Sequence, residues 1–545
     1  MKLILKYSIR AIRLFPKQFI TAMGLIALMT VLDAATPWGL RFYIAEVTRT
    51  NHMNTFVVGL LVFAFYYLLC IGIRIAWYVA LDRFGGKYID QLTVEMQSRM
   101  AETPYSEIEK EQPNIIRNIL FTDVLNVFRV VGHHLPSLLN SMAIIIVALT
   151  ISAMYDIRIT TIIALAIMLG VLLSWISRKV LAKSAGATNA KLKVHDAWCT
   201  HFVQMLPVIH THNILSYFQR NSTKNVSEFI ETSIQEDRRT LFWSELINNY
   251  HALFSVALSA LLAMPLAQNS VADLVFYTMI SSLVMNQAQS AELLFQQIIK
   301  SHISFKHINE LNQLPKRRGQ QTITSIRTIE YKNVNFVYTN GIHALKQASC
   351  IINRGDVVHL QGPNGSGKST FIKLLTGLYE PSAGELSFNG ISSIHFSQAS
   401  RNESILYIGQ DDLCLNEDFN TYLEVMTGEA IPNEWYVRLL SFVGLPDDER
   451  RISENGLSLS VGQRKKLLFM QMLLRCEKAS VIIMDEVTAG LDVDTTKKVN
   501  KYVTNLAAKN DKIIIFVDHT LANNLPVTKK IIFTEGYLEE VRNEC

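Results

Sequence analysis

Two hydrophobic patterns divide the chain. Up to about residue 300, apolar residues run in long stretches near the roughly 20 residues that carry a helix across a bilayer; from residue 328 onward they come as short runs between turns. Six of the long stretches predict membrane spans at 19–44, 56–81, 135–155, 157–177, 244–267 and 271–295. The joints after spans one, three and five are short, whereas those after two and four run for about 50 and 65 residues and are polar with helical patterning. In the second half IEYKNVNFVY (329–338), QASCIINRGD (347–356) and VVHLQG (357–362) read as strands. The last of these opens onto a glycine-rich loop and the helical STFIKLLTGLY.

Charge orients this pattern. The long joints carry Arg83, Lys87, Arg99, Lys110, Arg117 and Arg129, then Arg178, Lys179, Lys183, Lys191, Lys193, Arg220, Lys224, Arg238 and Arg239, and the short joints carry almost none. Basic residues collect on the cytoplasmic side, so both termini and both long joints are expected in the cytoplasm. The 545 residues are 49% hydrophobic with a mean hydropathy of +0.19, too apolar for an ordinary soluble enzyme. The net charge of +5 is used up around the spans, and no basic stripe with interleaved aromatics points to nucleic acid. Cys70, Cys199, Cys350, Cys414, Cys476 and Cys545 are scattered without CxxC spacing, which predicts reduced thiols rather than a disulfide frame or zinc site. No small-residue cleavage site precedes the first apolar run, so a removable signal peptide is not expected.

The chemistry lies at 362–370, GPNGSGKST. Gly362, Pro363, Asn364, Gly365, Ser366 and Gly367 form a loop whose backbone N–H groups can close around phosphates; Lys368 can reach the outer phosphates, Ser369 can give an oxygen to Mg²⁺, and Thr370 follows. Downstream, VIIMDE (481–486) is an apolar run ending in two carboxylates, as a buried parallel strand would deliver acids to the phosphate end. Asp485 is placed to hold the metal through water, and Glu486 to polarise an attacking water. Alone, such a run is as readily structural; its position after the phosphate loop favours chemistry.

Between these lies LSVGQRKK (459–466), which resembles the signature of ABC transporters, usually LSGGQ. The alternation of short and very long joints likewise resembles the membrane domain of ABC exporters. The resemblance implies a multidomain chain: an all-α six-helix transmembrane domain (1–314), a linker (315–327) and an α/β P-loop ATP-binding cassette (328–545). It places coupling helices at 104–118 and 206–220. Ser460, Gly462 and Gln463 are implied to meet the γ-phosphate of ATP held by a partner cassette, so each site needs two chains. Tyr338 is implied to stack on adenine, Gln410 in YIGQDD to meet Mg²⁺, Leu491 and Asp492 in AGLD to form the dimer interface, and His519 in FVDHT to touch the γ-phosphate. Taken alone, Tyr338 is equally well a packed aromatic and His519 better a surface histidine; their order and spacing favour the functional roles. Val461 replaces the first signature glycine, and Thr520 stands where many exporters carry arginine.

The resulting expectation is an ATP-hydrolysing homodimer in a bacterial inner membrane, in contact with membrane lipid and exporting a peptide-like or amphipathic compound, with ATP and Mg²⁺ as cofactors. The GQRKK run looks most like exporters of cyclic peptides, microcins and peptide siderophores. A lipid or glycolipid flippase and an exporter-shaped siderophore importer remain as alternatives; a soluble ABC ATPase of repair or translation conflicts with the six spans. No cysteine-protease domain precedes the first span, so leader cleavage is not expected. On span six Ser282, Asn286, Gln289 and Gln296, with Glu292 at the edge, fall within about 40° of one line at 100° per residue, marking a substrate path or polar packing between helices. Asp33 and Arg74 either join that cavity or pair with each other.

Overall fold

The computed structural model describes the chain except for residues 51, 111–115, 117, 213, 264–270, 318, 410–413, 447–450, 454–457, 510, 518–520, 522–524 and 543–545. The side chains of 174, 178–187, 189, 190, 193, 225, 244, 248, 251, 252, 255, 259, 262 and 263 also lie outside the description. Two compact units emerge: Met1–Gln97 with Ile116–Asn312, and Ser98–Ile115 with Gln313–Cys545.

The first unit is helical. The six apolar stretches lie on helices Pro16–Thr50, Met53–Glu102, Leu135–Tyr155, Ile157–Gln204, Leu215–Ala263 and Val271–Lys300. Four of the described segments are long and apolar enough to cross a membrane: Pro16–Thr50, Met53–Glu102, Ile119–Tyr155 and Ile157–Ser177. The fifth and sixth predicted spans are helical without meeting that measure, and the fifth runs into residues outside the description. The helices exceed the apolar stretches because the polar joints continue the same helical period, as the patterning predicts. In the first coupling segment the described helix is Tyr105–Lys110, and in the second it is Leu206–His212.

Packing within this unit explains which residues turn inward. Ala148, Ile159, Ile163, Leu258, Phe276, Tyr277, Ile280 and Val284 form one cluster, and Ala22, Ile26, Met29, Trp77, Ala80 and Leu81 another. Helix Met53–Glu102 passes the Ile119–Tyr155 segment at Gly85 and Gly132, where a Cβ on Gly85 would lie 3.2 Å from the Gly132 Cα and 2.7 Å from the Phe128 ring. The first helix meets the third where Thr30 Oγ1 donates to Asn140 Oδ1 (3.1 Å), and the sixth through Arg41 and Asp273 (2.8 Å).

The second unit contains two sheets. An antiparallel sheet orders its strands β2 (His343–Asn353), β1 (Thr328–Val337), β4 (Ala383–Phe388), β5 (Ile391–Ser392). The other runs β10 (Tyr537–Arg542), β9 (Lys529–Thr534), β3 (Val357–Gln361), β8 (Ile513–Val517), β7 (Val481–Asp485), β6 (Ile405–Ile408), parallel from β9 to β6. Strands β7 and β8 are almost wholly apolar and buried, as strands covered on both faces must be. Parallel strands release their following loops at one edge. The loop at 362 and Glu486 therefore leave the sheet on the same side.

Candidate nucleotide site

The loop between β3 and helix Lys368–Leu375 is shaped by glycine. Gly362, Gly365 and Gly367 have φ of 144°, 78° and 114°, which L side chains rarely adopt. A Cβ on Gly362 would lie 2.5 Å from the Phe533 carbonyl oxygen, and one on Gly367 2.6 Å from that of Ala344. Residues 362–365 stay exposed over this packed floor, Ser366 is buried with its hydroxyl unpartnered among the described residues, and Thr370 is buried. Lys368 Nζ donates to the Gly362 and Pro363 carbonyls at 2.7 and 2.9 Å, which keeps the ammonium over the loop mouth. A cradle that no Cβ could enter, at a helix N-terminus with a lysine over it, fits a polyphosphate. The exposed Ser369 hydroxyl and the Asp485 carboxylate are oxygen donors suited to a hard divalent cation such as Mg²⁺.

Tyr338 follows β1, and its hydroxyl lies 2.9 Å from Thr370 Oγ1. Its ring meets Phe336 edge-on (4.9 Å) and Tyr379 (5.6 Å), with the Lys373 ammonium 5.9 Å from its centroid. Tyr379 in turn donates its hydroxyl to Glu109 Oε2 (2.7 Å) and meets the Tyr105 ring at 5.9 Å. Burial, followed by the Glu109 contact, pushes the Tyr379 phenol above its ordinary value. Helix Tyr105–Lys110 and Tyr338 thus belong to one aromatic cluster within this unit. No sequence pattern marked Tyr379 or Glu109.

Glu486 leaves β7 with φ 51°, a left-handed conformation for a residue with a side chain, and its N–H donates to the Val517 carbonyl (2.9 Å). Lys465, 6% exposed, donates to the Glu486 carbonyl. The next lysine, Lys466, pairs with Asp492 at 2.7 Å. The Lys466 ammonium, with the Thr495 donors, holds the Asp492 carboxyl well below the usual carboxylate range. Ser460 caps helix Val461–Arg475 in a capping box with Gln463 (3.1 and 2.9 Å), and both remain turned into their own helix start rather than toward the phosphate loop. A Cβ on Gly462 would lie 3.2 Å from the Gly490 carbonyl oxygen, and the Val461 Cγ1 lies 3.3 Å from where a Cβ on Gly490 would stand, so the valine in place of the first signature glycine rests against Gly490. Gln410 and His519 lie outside the described residues. Lys465 was overlooked in the sequence, although a signal was there: Leu468, Phe469 and Met472 at i+3, i+4 and i+7 are all buried, so a charged residue sits on the apolar stripe.

Ser282 and Asn286 are exposed, Gln289 is half-buried, and Gln296 donates to Glu292 (3.0 Å). The polar cavity of this unit, about 470 Å³, takes Gln287, Ser290 and Gln297 from span six instead, together with Asp33 and Arg74. The latter two both pair (3.3 Å) and line it. The five described-residue cysteines are free thiols.

Residues 345–489 match the family described as ABC transporter. The subtilin transport ATP-binding protein SpaT of Bacillus subtilis is 28% identical over 304 residues, half of this chain and 48% of that protein, so the match spans about half the relative's length. The β-(1→2)glucan export ATP-binding/permease protein NdvA of Agrobacterium fabrum is 22% identical over 73% of this chain and 69% of its own. A bacterial Atm1-family ABC exporter solved with ATP bound superposes with a TM-score of 0.82 over 97% of this chain and 95% of that one, at 16% identity. With its phosphate loop, capped helix start and acidic strand end in one unit, residues 345–489 form a domain that matches the ABC transporter family, in a chain with the fold of an ABC exporter.

Proposed function

We propose that the chain is a primary active exporter that works as a homodimer, hydrolysing ATP at two sites shared between cassettes to move a peptide-like or amphipathic compound out of a bacterial cytoplasm. On this reading 1–314 form the membrane domain, 315–327 the linker and 328–545 the cassette. The observation that carries it is the incomplete half-site: Ser460 and Gln463 close on each other at an exposed helix start, away from the loop held by Lys368. A second copy would bring such a helix start to each phosphate loop, adding N–H donors and a favourable dipole.

In that dimer the backbone of 362–367 and Lys368 hold the phosphates, Tyr338 faces the base, and Glu486 orients and polarises the attacking water. Bound Mg²⁺, reached by Ser369, Gln410 and, through water, Asp485, would neutralise charge on the phosphates. Gly462 and Asp492 sit at the junction, and His519 meets the γ-phosphate. Closure and parting of the cassettes would rock the membrane halves between inward and outward access.

SpaT, named for subtilin transport, lends support to a peptide-like cargo, and the glucan exporter NdvA to a wider polar range. A lipid or glycolipid flippase is the second reading, favoured by an apolar groove of about 740 Å³ between spans one and two lined by Phe42, Tyr43, Val62 and Phe63. ATPase turnover in proteoliposomes, measured with added peptides, lipids or siderophores, tests the choice. Stimulation by peptides alone is expected; stimulation by lipid alone would replace the exporter reading with the flippase.

A further inference from the structure

The cavity of about 470 Å³ inside the first unit is built from spans one, two, three and six, and its polar groups are unlike those of ordinary helix packing. Asp33 and Arg74 meet through a single contact, Arg74 Nη2 to Asp33 Oδ1 at 3.3 Å, with the Arg74 side chain 52% exposed and that of Asp33 20%. This leaves most guanidinium donors and one carboxylate oxygen without a partner among the described residues. Charges inside membrane segments are costly and persist where they serve a pathway or a ligand. Asn140, 8% exposed, has its oxygen engaged by Thr30, which turns its NH₂ donors to the remaining space, and they find no partner among the described residues. Ser137, Gln287, Ser290 and Gln297 line the same cavity and, among the described residues, have no side-chain partner, nor has the buried Trp77 indole N–H an acceptor there. The volume lies in the ~300–1,000 Å³ range of small-molecule sites.

We propose that this cavity binds a short unblocked peptide as a zwitterion: its terminal carboxylate on Arg74, its terminal ammonium on Asp33, and its backbone amides on Asn140, Gln287 and Gln297. An open ion pair offers a fixed anion and a fixed cation side by side, and side-chain amides supply the paired donor and acceptor that a peptide group needs. A purely apolar cargo would leave all of these groups desolvated and unpaired, at a cost. This assignment deepens the peptide-export reading and rests on it for the direction of transport, though not for binding.

The test uses full-length Ser290→Cys protein in nanodiscs without nucleotide, labelled by a water-soluble thiol reagent and read by peptide mass spectrometry, so the native cysteines stay in place. A degenerate library of unblocked tripeptides should protect the introduced thiol. The same library N-acetylated and C-amidated should need at least about tenfold higher concentration, as losing a charge-assisted hydrogen bond implies. In an Arg74→Gln, Asp33→Asn background, where no lone charge is left behind, the two libraries should become equivalent. Equal protection by both libraries with the ion pair intact, no protection, or no labelling at all overturns the proposal. So does protection in phosphatidylethanolamine nanodiscs, relative to phosphatidylglycerol, before any peptide is added, which would make a lipid headgroup the zwitterion. ATPase stimulation without protection overturns this site while leaving peptide export standing; protection without stimulation leaves the site and counts against export.

Discussion

Glu486 is held by its backbone rather than by its carboxylate: a left-handed φ, the Val517 carbonyl on its N–H, and Lys465 on its own carbonyl leave the side chain to be aimed by its surroundings. Glu486→Gln keeps the shape and removes the base, so ATP binding should persist while turnover falls by more than about 100-fold. Nucleotide binding measured beside phosphate release checks this, and turnover within about threefold of the parent would remove Glu486 from catalysis. Cys350 shows burial acting on an idle group. Enclosed on β2, its thiol is pushed up to about 12 by desolvation, with the Glu540 charge adding. Raised in the fold, it contributes stability that is whole below the ordinary thiol value near 8.5 and is lost as pH climbs from there toward 12. Alkylation at pH 8 should therefore spare Cys350 in the native protein and modify it after denaturation; rapid native labelling would contradict its enclosure.

At the scale of elements, what could be read from the chain was whatever local pattern dictates. Runs such as VIIMDE and VVHLQG announced buried strands because burial on both faces demands continuous apolar residues, and β7 and β3 lie in the parallel sheet. The phosphate loop was legible because its glycines answer a backbone requirement, met at Gly362 and Gly367. Contacts set by how elements meet were not legible: Tyr379 with Glu109, Lys465 with Glu486, and the rotation of span six that sends Gln287 and Ser290, rather than Ser282 and Asn286, to the cavity. A helical wheel gives a face, and only the neighbours decide which face matters. The Gly85 and Gly132 crossing is of this kind. Gly85→Leu would drive a side chain into Phe128 and the Gly132 backbone, and overpacking of this sort costs about 1–3 kcal/mol. Thermal unfolding in detergent should drop measurably, whereas Gly86→Leu, whose Cβ would meet nothing within 4 Å, should leave it almost unchanged.

For the whole molecule the decisive matter is the second chain. If two identical copies complete both sites, purified protein alone should have the detergent-corrected mass of a dimer, about twice 61.7 kDa, and hydrolyse ATP without any other half-transporter. A monomer that becomes active only with a different partner would refute the homodimer. The two lysines after the signature give that dimer a further property. Lys465 grips the carbonyl of Glu486 and Lys466 the carboxylate of Asp492, so the helix start that would touch the partner's ATP and the acid that would act on the chain's own ATP belong to a single lever. Such a lever makes the sites statistically dependent: filling one alters the odds of reaction at the other. ATP titrations of turnover should be sigmoidal, with a Hill coefficient above one, and Lys466→Met should flatten them toward simple saturation while each site still binds nucleotide.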